Sequence, residues 1–155
     1  MTAQGPATFS SIVVGTDGSE TASEAVRRAI ALAADLGASL GIVCAYEPVP
    51  SSRLRVERRE VPQDMEWMIN PREDVERTLL HAAEGARAGG VERVETFARQ
   101  GDPADAILDV AEERGADLIV VGNRGMTGAK RFLLGSVPNR VSHHAPCSVL
   151  IIRTV

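Results

Sequence analysis

Four aliphatic residues in succession, Leu118-Ile119-Val120-Val121, run straight into Gly122. Successive side chains of a strand point to opposite faces, so a strand apolar at every position needs cover on both sides. That is the condition of a central strand in a parallel sheet with helices above and below. The remaining sequence supplies those helices. Ala22, Ala25, Val26, Ala29, Ile30, Ala33 and Leu36 recur at steps of three and four, giving one apolar helical face that stops at Gly37. Val75, Leu79, Ala82, Ala83 and Ala86 repeat the pattern before Gly89-Gly90, and Ala104, Ile107, Leu108 and Ala111 before Gly115. The third helix has a marked start, with Asp102 as cap and Pro103 at the first position, where a missing N–H is harmless. Strands are expected at 11–16, 39–46, 92–98, 117–122 and 147–153. Strands alternating with helices make βαβ units, and the fold class is α/β: a three-layer sandwich around a five-stranded parallel sheet.

The chain of 155 residues is read as a single domain, 1–155, with an N-terminal arm at 1–9 and a crossover loop at 47–71. A net charge of -4 and 3% aromatic residues give neither the basic footprint nor the stacking platforms of a nucleic-acid binder, so no nucleic-acid partner is expected. The longest aliphatic runs are four residues, against about 18 for a membrane span, and Met1 to Ser10 is neither basic nor apolar. No membrane partner is expected, and a cytoplasmic location is expected. Cys44 and Cys147 fall in expected strands and read as free thiols. Zinc spacings are absent, and His143-His144 sits at a helix end before Pro146.

The chemistry lies after the aliphatic run. Gly122-Asn123-Arg124-Gly125 is followed by nine residues and then Gly135-Ser136. Glycines let backbone approach a polyphosphate, and amides at a loop or helix start supply donors and positive dipole. Arg124 can donate two hydrogen bonds to phosphate. Between the glycines, Phe132, Leu133 and Leu134 are expected to pack inward while Lys130 and Arg131 stay in water. A Walker loop is excluded because Lys130 follows Ala129, a dinucleotide fingerprint because Gly15-Thr16-Asp17-Gly18 lacks its spacing, and a nucleophile elbow because Gly-x-Ser-x-Gly is absent. Asp17 follows the first strand; beside a polyphosphate its charge calls for a divalent cation, and it can also start a turn and cap the first helix. Gly135-Ser136 can likewise cap a helix from Val137 to His144.

The loop spacing, with the turn Ile12-Val13-Val14-Gly15-Thr16-Asp17-Gly18-Ser19 and the strand Ser148-Val149-Leu150-Ile151-Ile152, resembles the universal stress protein family. The resemblance implies a Rossmann-like fold of the adenine nucleotide alpha hydrolase-like type with strand order 3-2-1-4-5, which brings the ends of strands one and four to the winding reversal where ligands bind. It implies ATP with Mg2+ or Mn2+, held by Thr16, Asp17, Ala45, Gly101, Gly122, Asn123, Arg124, Gly125, Gly135, Ser136 and Val137. Asp17 would serve the metal, and adenine would lie near Ala45 and the loop Gln100-Gly101-Asp102-Pro103. Cyclic AMP or AMP is the alternative ligand. The expected role is a nucleotide-dependent stress-response module, with slow ATP hydrolysis or self-phosphorylation as the alternative activity. The apolar last strand, placed at a sheet edge by that order, invites pairing, and the resemblance implies a homodimer through 147–153.

Overall fold

The computed structural model describes residues 8–46, 72–123 and 134–154. The crossover loop at 47–71, Arg124, Gly125, and the stretch through Lys130, Arg131, Phe132 and Leu133 lie outside the described residues.

Chain order is β1 (Ser11–Gly15), α1 (Glu20–Leu36), β2 (Ser39–Tyr46), α2 (Arg72–Ala88), β3 (Val94–Gln100), α3 (Pro103–Arg114), β4 (Leu118–Gly122), α4 (Ser136–His144) and β5 (Ser148–Ile152). All pairings are parallel and the order is β3-β2-β1-β4-β5. The connections from β1 to β2 to β3 step one way across the sheet; the next strand returns to the other side of β1. Right-handed crossovers that reverse direction place their helices on opposite faces. Accordingly α1 and α2 cover Ile12, Val14, Leu40, Ile42, Leu118 and Val120, while α3 and α4 cover Val13, Val43, Ile119 and Val121. The aliphatic run of β4 is buried from both sides, as its sequence requires.

Gly37 and Gly115 end α1 and α3 in the left-handed conformation, at φ 67° and 62°. Asp102 caps α3, accepting from the Asp105 N–H at 3.0 Å. Leu36, expected on the buried face of α1, is 37% exposed; it sits at the last turn, and Ala38 enters the core instead. Strand β3 begins two residues later than 92–98 because the Val91 N–H returns to Ala86 O at 3.0 Å, burying Val91 as part of the helix exit. Cys147 lies just before β5 rather than within it.

The two sheet edges differ in chemistry. On β3, Phe97 lies between the guanidinium groups of Arg99 and Arg114, at 5.4 and 5.6 Å, and Arg99 binds Glu113 of α3 through two hydrogen bonds of 2.8 and 2.9 Å. On β5, Leu150 and Ile151 are 39% and 37% exposed. At the opposite rim from the strand C-termini, the Asp117 carboxylate accepts the N–H groups of Ser10 and Ser11 and the Ser10 hydroxyl at 2.9 to 3.2 Å, tying the start of β1 to β4. Desolvation raises its pKa, but the hydrogen bonds from Ser10 and Ser11 outweigh this and hold the carboxyl below the ordinary aspartate value. A depressed folded-state pKa stabilises above the unfolded pKa and is lost as pH falls through the folded value. Asp117→Asn should therefore cost about 1 kcal/mol at pH 7, below the usual range for hydrogen bonds to a charged group because water reaches the cluster. The deficit should shrink as the wild type is titrated below about pH 4; urea unfolding of both proteins at pH 7 and pH 3 checks it.

Candidate nucleotide crevice

At the carboxyl ends of the strands, β1 and β4 stand side by side, with Ile12 opposite Leu118 and Val14 opposite Val120. Their following residues meet at the reversal of strand order. Gly15 lets the end of β1 lie close to α3: a Cβ there would stand 2.4 Å from Ile107 Cδ1, in the core. Thr16 continues the ladder, donating its N–H to Val43 O at 2.9 Å, and its hydroxyl accepts from the Gly18 N–H at 3.1 Å. Asp17 Oδ1 accepts from the Ser19 N–H at 2.7 Å. Asp17 thus starts the turn, but the cap of α1 is Ser19, whose hydroxyl oxygen accepts from the Ala22 N–H at 3.2 Å. Gly18 has φ +82°, and a Cβ on it would meet the Thr78 hydroxyl of α2 at 3.0 Å. Thr78 therefore backs the acidic turn, a contact no local sequence signal announces because it depends on how α2 docks.

Across the crevice, Gly122 closes β4 opposite Ile152 of β5. Asn123 is the junction. Its N–H donates to Ile152 O at 2.8 Å, its carbonyl accepts from the Gly135 N–H at 2.9 Å, and its side-chain oxygen accepts from both the N–H and the hydroxyl of Thr154 at 2.8 and 2.9 Å. The two ends of the glycine loop are joined there, and the amide oxygen of the side chain is used on the chain's own C-terminal segment. Leu134, expected to pack inward, is 39% exposed at the loop's end.

Helix α4 starts one residue earlier than expected. Gly135 is its cap, Ser136 its first residue, and no side chain caps it. The Ser136 cap is therefore not formed; the turn geometry puts a residue without a side chain in that place. Of the N-terminal amides, that of Gly135 is used by Asn123, and Pro138 has none. Ser136 and Val137 carry the two amides left without a partner among the described residues, and no acid stands in the first turn to neutralise the dipole. Pro138, fully buried, occupies the third position of the helix, where a missing N–H costs no intrahelical bond.

Ala45 is half-buried at the end of β2, on the α3 side of the sheet. Gly101 donates its N–H to Tyr46 O at 2.8 Å, so the loop after β3 is held against the end of β2. All the described site residues therefore lie along one rim, from Gly101 and Ala45 through Thr16 and Asp17 to Gly122, Asn123 and α4. A separate cavity of about 490 Å³, lined by Glu20, Thr21, Glu24, Arg27, Arg153 and Thr154, lies along α1 and contains none of them. Among the described residues no cluster of three His, Cys, Asp or Glu side chains is placed to hold a metal ion. None of the described helices is long and apolar enough to cross a membrane.

The model of the Universal stress protein family matches residues 8–153. The chain belongs to the universal stress protein family. Its relatives include a universal stress protein of Mycobacterium tuberculosis, Rv1636, 36% identical over 146 residues that make up 94% of this chain and 97% of the relative. Another is YxiE of Bacillus subtilis, 35% identical over 149 residues, covering 94% and 99%. Among solved structures, a universal stress protein in complex with cAMP is 35% identical, covers 95% of this chain and 98% of its own, and superposes with a TM-score of 0.70. UspA from Lactobacillus plantarum, 24% identical with a TM-score of 0.75 over 94% and 98% of the chains, shares the fold. The strand order expected of a universal stress protein is the order found.

Cys44 lies under the crevice floor at the end of β2, 1% exposed. Burial pushes its thiol up to about 12, and the Asp17 carboxylate adds to the effect. Burial, with Asp117 beside it, also raises Cys147. The thiolate is the reactive form, so Cys44 should be inert in the folded protein. With Ellman's reagent at pH 8, Cys44 should stay unmodified for hours, Cys147 should react slower than a free thiol, and both should react at once in urea; peptide mapping of the labelled protein distinguishes them.

Proposed function

We propose that this universal stress protein binds an adenine nucleotide across the crevice, ATP with Mg2+ in the first place, and works as a ligand-dependent regulatory module. The observation that carries the reading is the bond from the Gly135 N–H to Asn123 O, which brings the bare start of α4 to the end of β4, next to the acidic turn of β1. Two amides and a helix dipole favour phosphate oxygens there. Gly122, Gly125 and Arg124 complete the phosphate side in this reading, and Ala45 and Gly101 offer small residues and backbone to the base. A single carboxylate suits Mg2+, which keeps waters and takes its other oxygens from phosphates; Asp17 would supply that one ligand. One Asp17 oxygen already holds the turn through Ser19, which favours binding over rapid turnover.

A second reading, cyclic AMP in the same crevice, is favoured by the relative described in complex with cAMP, 35% identical over nearly the full chain. The apolar β5 edge supports a homodimer through 147–153, since a two-fold partner strand would cover Leu150 and Ile151.

Titration calorimetry of nucleotide-free protein with MgATP and with cyclic AMP tests both readings. Binding of MgATP, lost by at least about tenfold in Gly122→Val and weakened in Asp17→Ala only when Mg2+ is present, is the expected result. Preference for cyclic AMP, indifferent to Asp17 and Mg2+, establishes the second reading; no binding of either nucleotide overturns both. Leu150→Glu should shift the mass in light scattering from dimer to monomer.

A further inference from the structure

Arg140 belongs to none of the motifs above. It projects from the second turn of α4, and helical side chains lean toward the N-terminus, so its guanidinium reaches back along the helix toward Ser136. There it meets the start of α3: Nη2 lies 2.8 Å from Asp105 Oδ1, and Nη1 lies 3.6 Å from Asp102 Oδ2. Asp102 is the cap of α3 and follows Gly101, which is pinned to the end of β2. The ion pair therefore links the helix whose amides face phosphate to the loop on the base side. All three side chains are about half exposed, and pairs of that kind add little to stability. Their effect on potential is larger. With Asp17, the two aspartates put three negative charges around the rim, and Arg140 pairs with two of them and offsets one unit of their charge.

We propose that Arg140 is a charge-balancing residue for an anionic nucleotide: paired with Asp102 and Asp105, it masks their carboxylates from the ligand's phosphates. The inference rests on the nucleotide reading above. It implies a graded preference. Without Arg140 a ligand pays a repulsion that grows with its own charge, larger for the doubly charged MgATP and AMP than for the singly charged cyclic AMP, and screened by salt. A scaffold role alone would weaken every ligand alike at every ionic strength.

The test is calorimetric titration of wild type, Arg140→Gln, Arg140→Lys and Arg140→Gln/Asp105→Asn with MgATP, AMP and cyclic AMP, at about 20 mM and about 500 mM salt. At low salt Arg140→Gln should bind MgATP about fivefold more weakly and cyclic AMP less than about twofold. High salt should erase each loss, and Arg140→Lys and the double variant should regain wild-type affinity within about twofold. Circular dichroism melts confirm that the variants fold, as expected for changes at exposed side chains. An unchanged affinity in Arg140→Gln, or a loss equal for all ligands and insensitive to salt, overturns the proposal while leaving nucleotide binding intact. If the wild type itself binds no nucleotide, the underlying reading and this inference fall together.

Discussion

The parallel pairing of β1 with β4 is the constraint on which the rest depends. Two segments more than a hundred residues apart, Ile12 to Val14 and Leu118 to Val120, lie side by side, and neither of the βα units they begin can form the crevice alone. Strands β2 and β3 extend the sheet on one side of this seam and β5 on the other. The reversal of direction at the seam sends α1 and α2 to one face and α3 and α4 to the other, and the carboxyl ends of β1 and β4 meet between the two layers. At the opposite rim the same pairing is reinforced by Asp117, which accepts the amides of Ser10 and Ser11 at the start of β1.

Above the seam, the crevice is assembled from backbone more than from side chains. Thr16, Gly101, Asn123 and Gly135 each contribute a main-chain group to an interstrand or loop bond, and those bonds set where the remaining groups point. The result is a helix start with two amides unpaired among the described residues on one side of the seam and a carboxylate on the other. Side chains act mainly by being small or by holding turns: Ala45 and the glycines keep the rim open, while Ser19, Thr16 and the Asn123 amide spend their polar atoms on the chain itself. Such a crevice is preorganised, since the donors are fixed by the sheet rather than by mobile side chains.

Much of the architecture was legible in the chain because it is written in short-range chemistry. The doubly apolar run at Leu118 to Val121 requires helices on both faces, and the glycines at 37 and 115 end helices because only a residue without Cβ adopts a left-handed exit at no steric cost. Asp102-Pro103 starts a helix for equally local reasons. The glycine spacing of the loop and the acidic turn marked two ends of the candidate site, and the resemblance supplied the strand order that joins them. Boundaries were less legible: β3 starts where Val91 turns into the core, and whether Leu36 or Ala38 takes the buried place at the end of α1 depends on the reach of the sheet beneath it.

The sequence by itself determined the periodicities, the helix stops, the class of fold and the residue types able to cradle a phosphate, since each follows from a residue and its near neighbours. Only the tertiary structure decided what those residues do. Ser19 rather than Asp17 caps α1; Gly135 rather than Ser136 caps α4; Asn123 joins the ends of its loop to the C-terminal segment; Thr78 backs a turn sixty residues earlier in the chain; and Arg140 meets two aspartates at the start of another helix. Each of these is a choice among several partners a side chain could take. That choice is settled by distances between elements far apart in sequence, and those distances exist only once the sheet has formed.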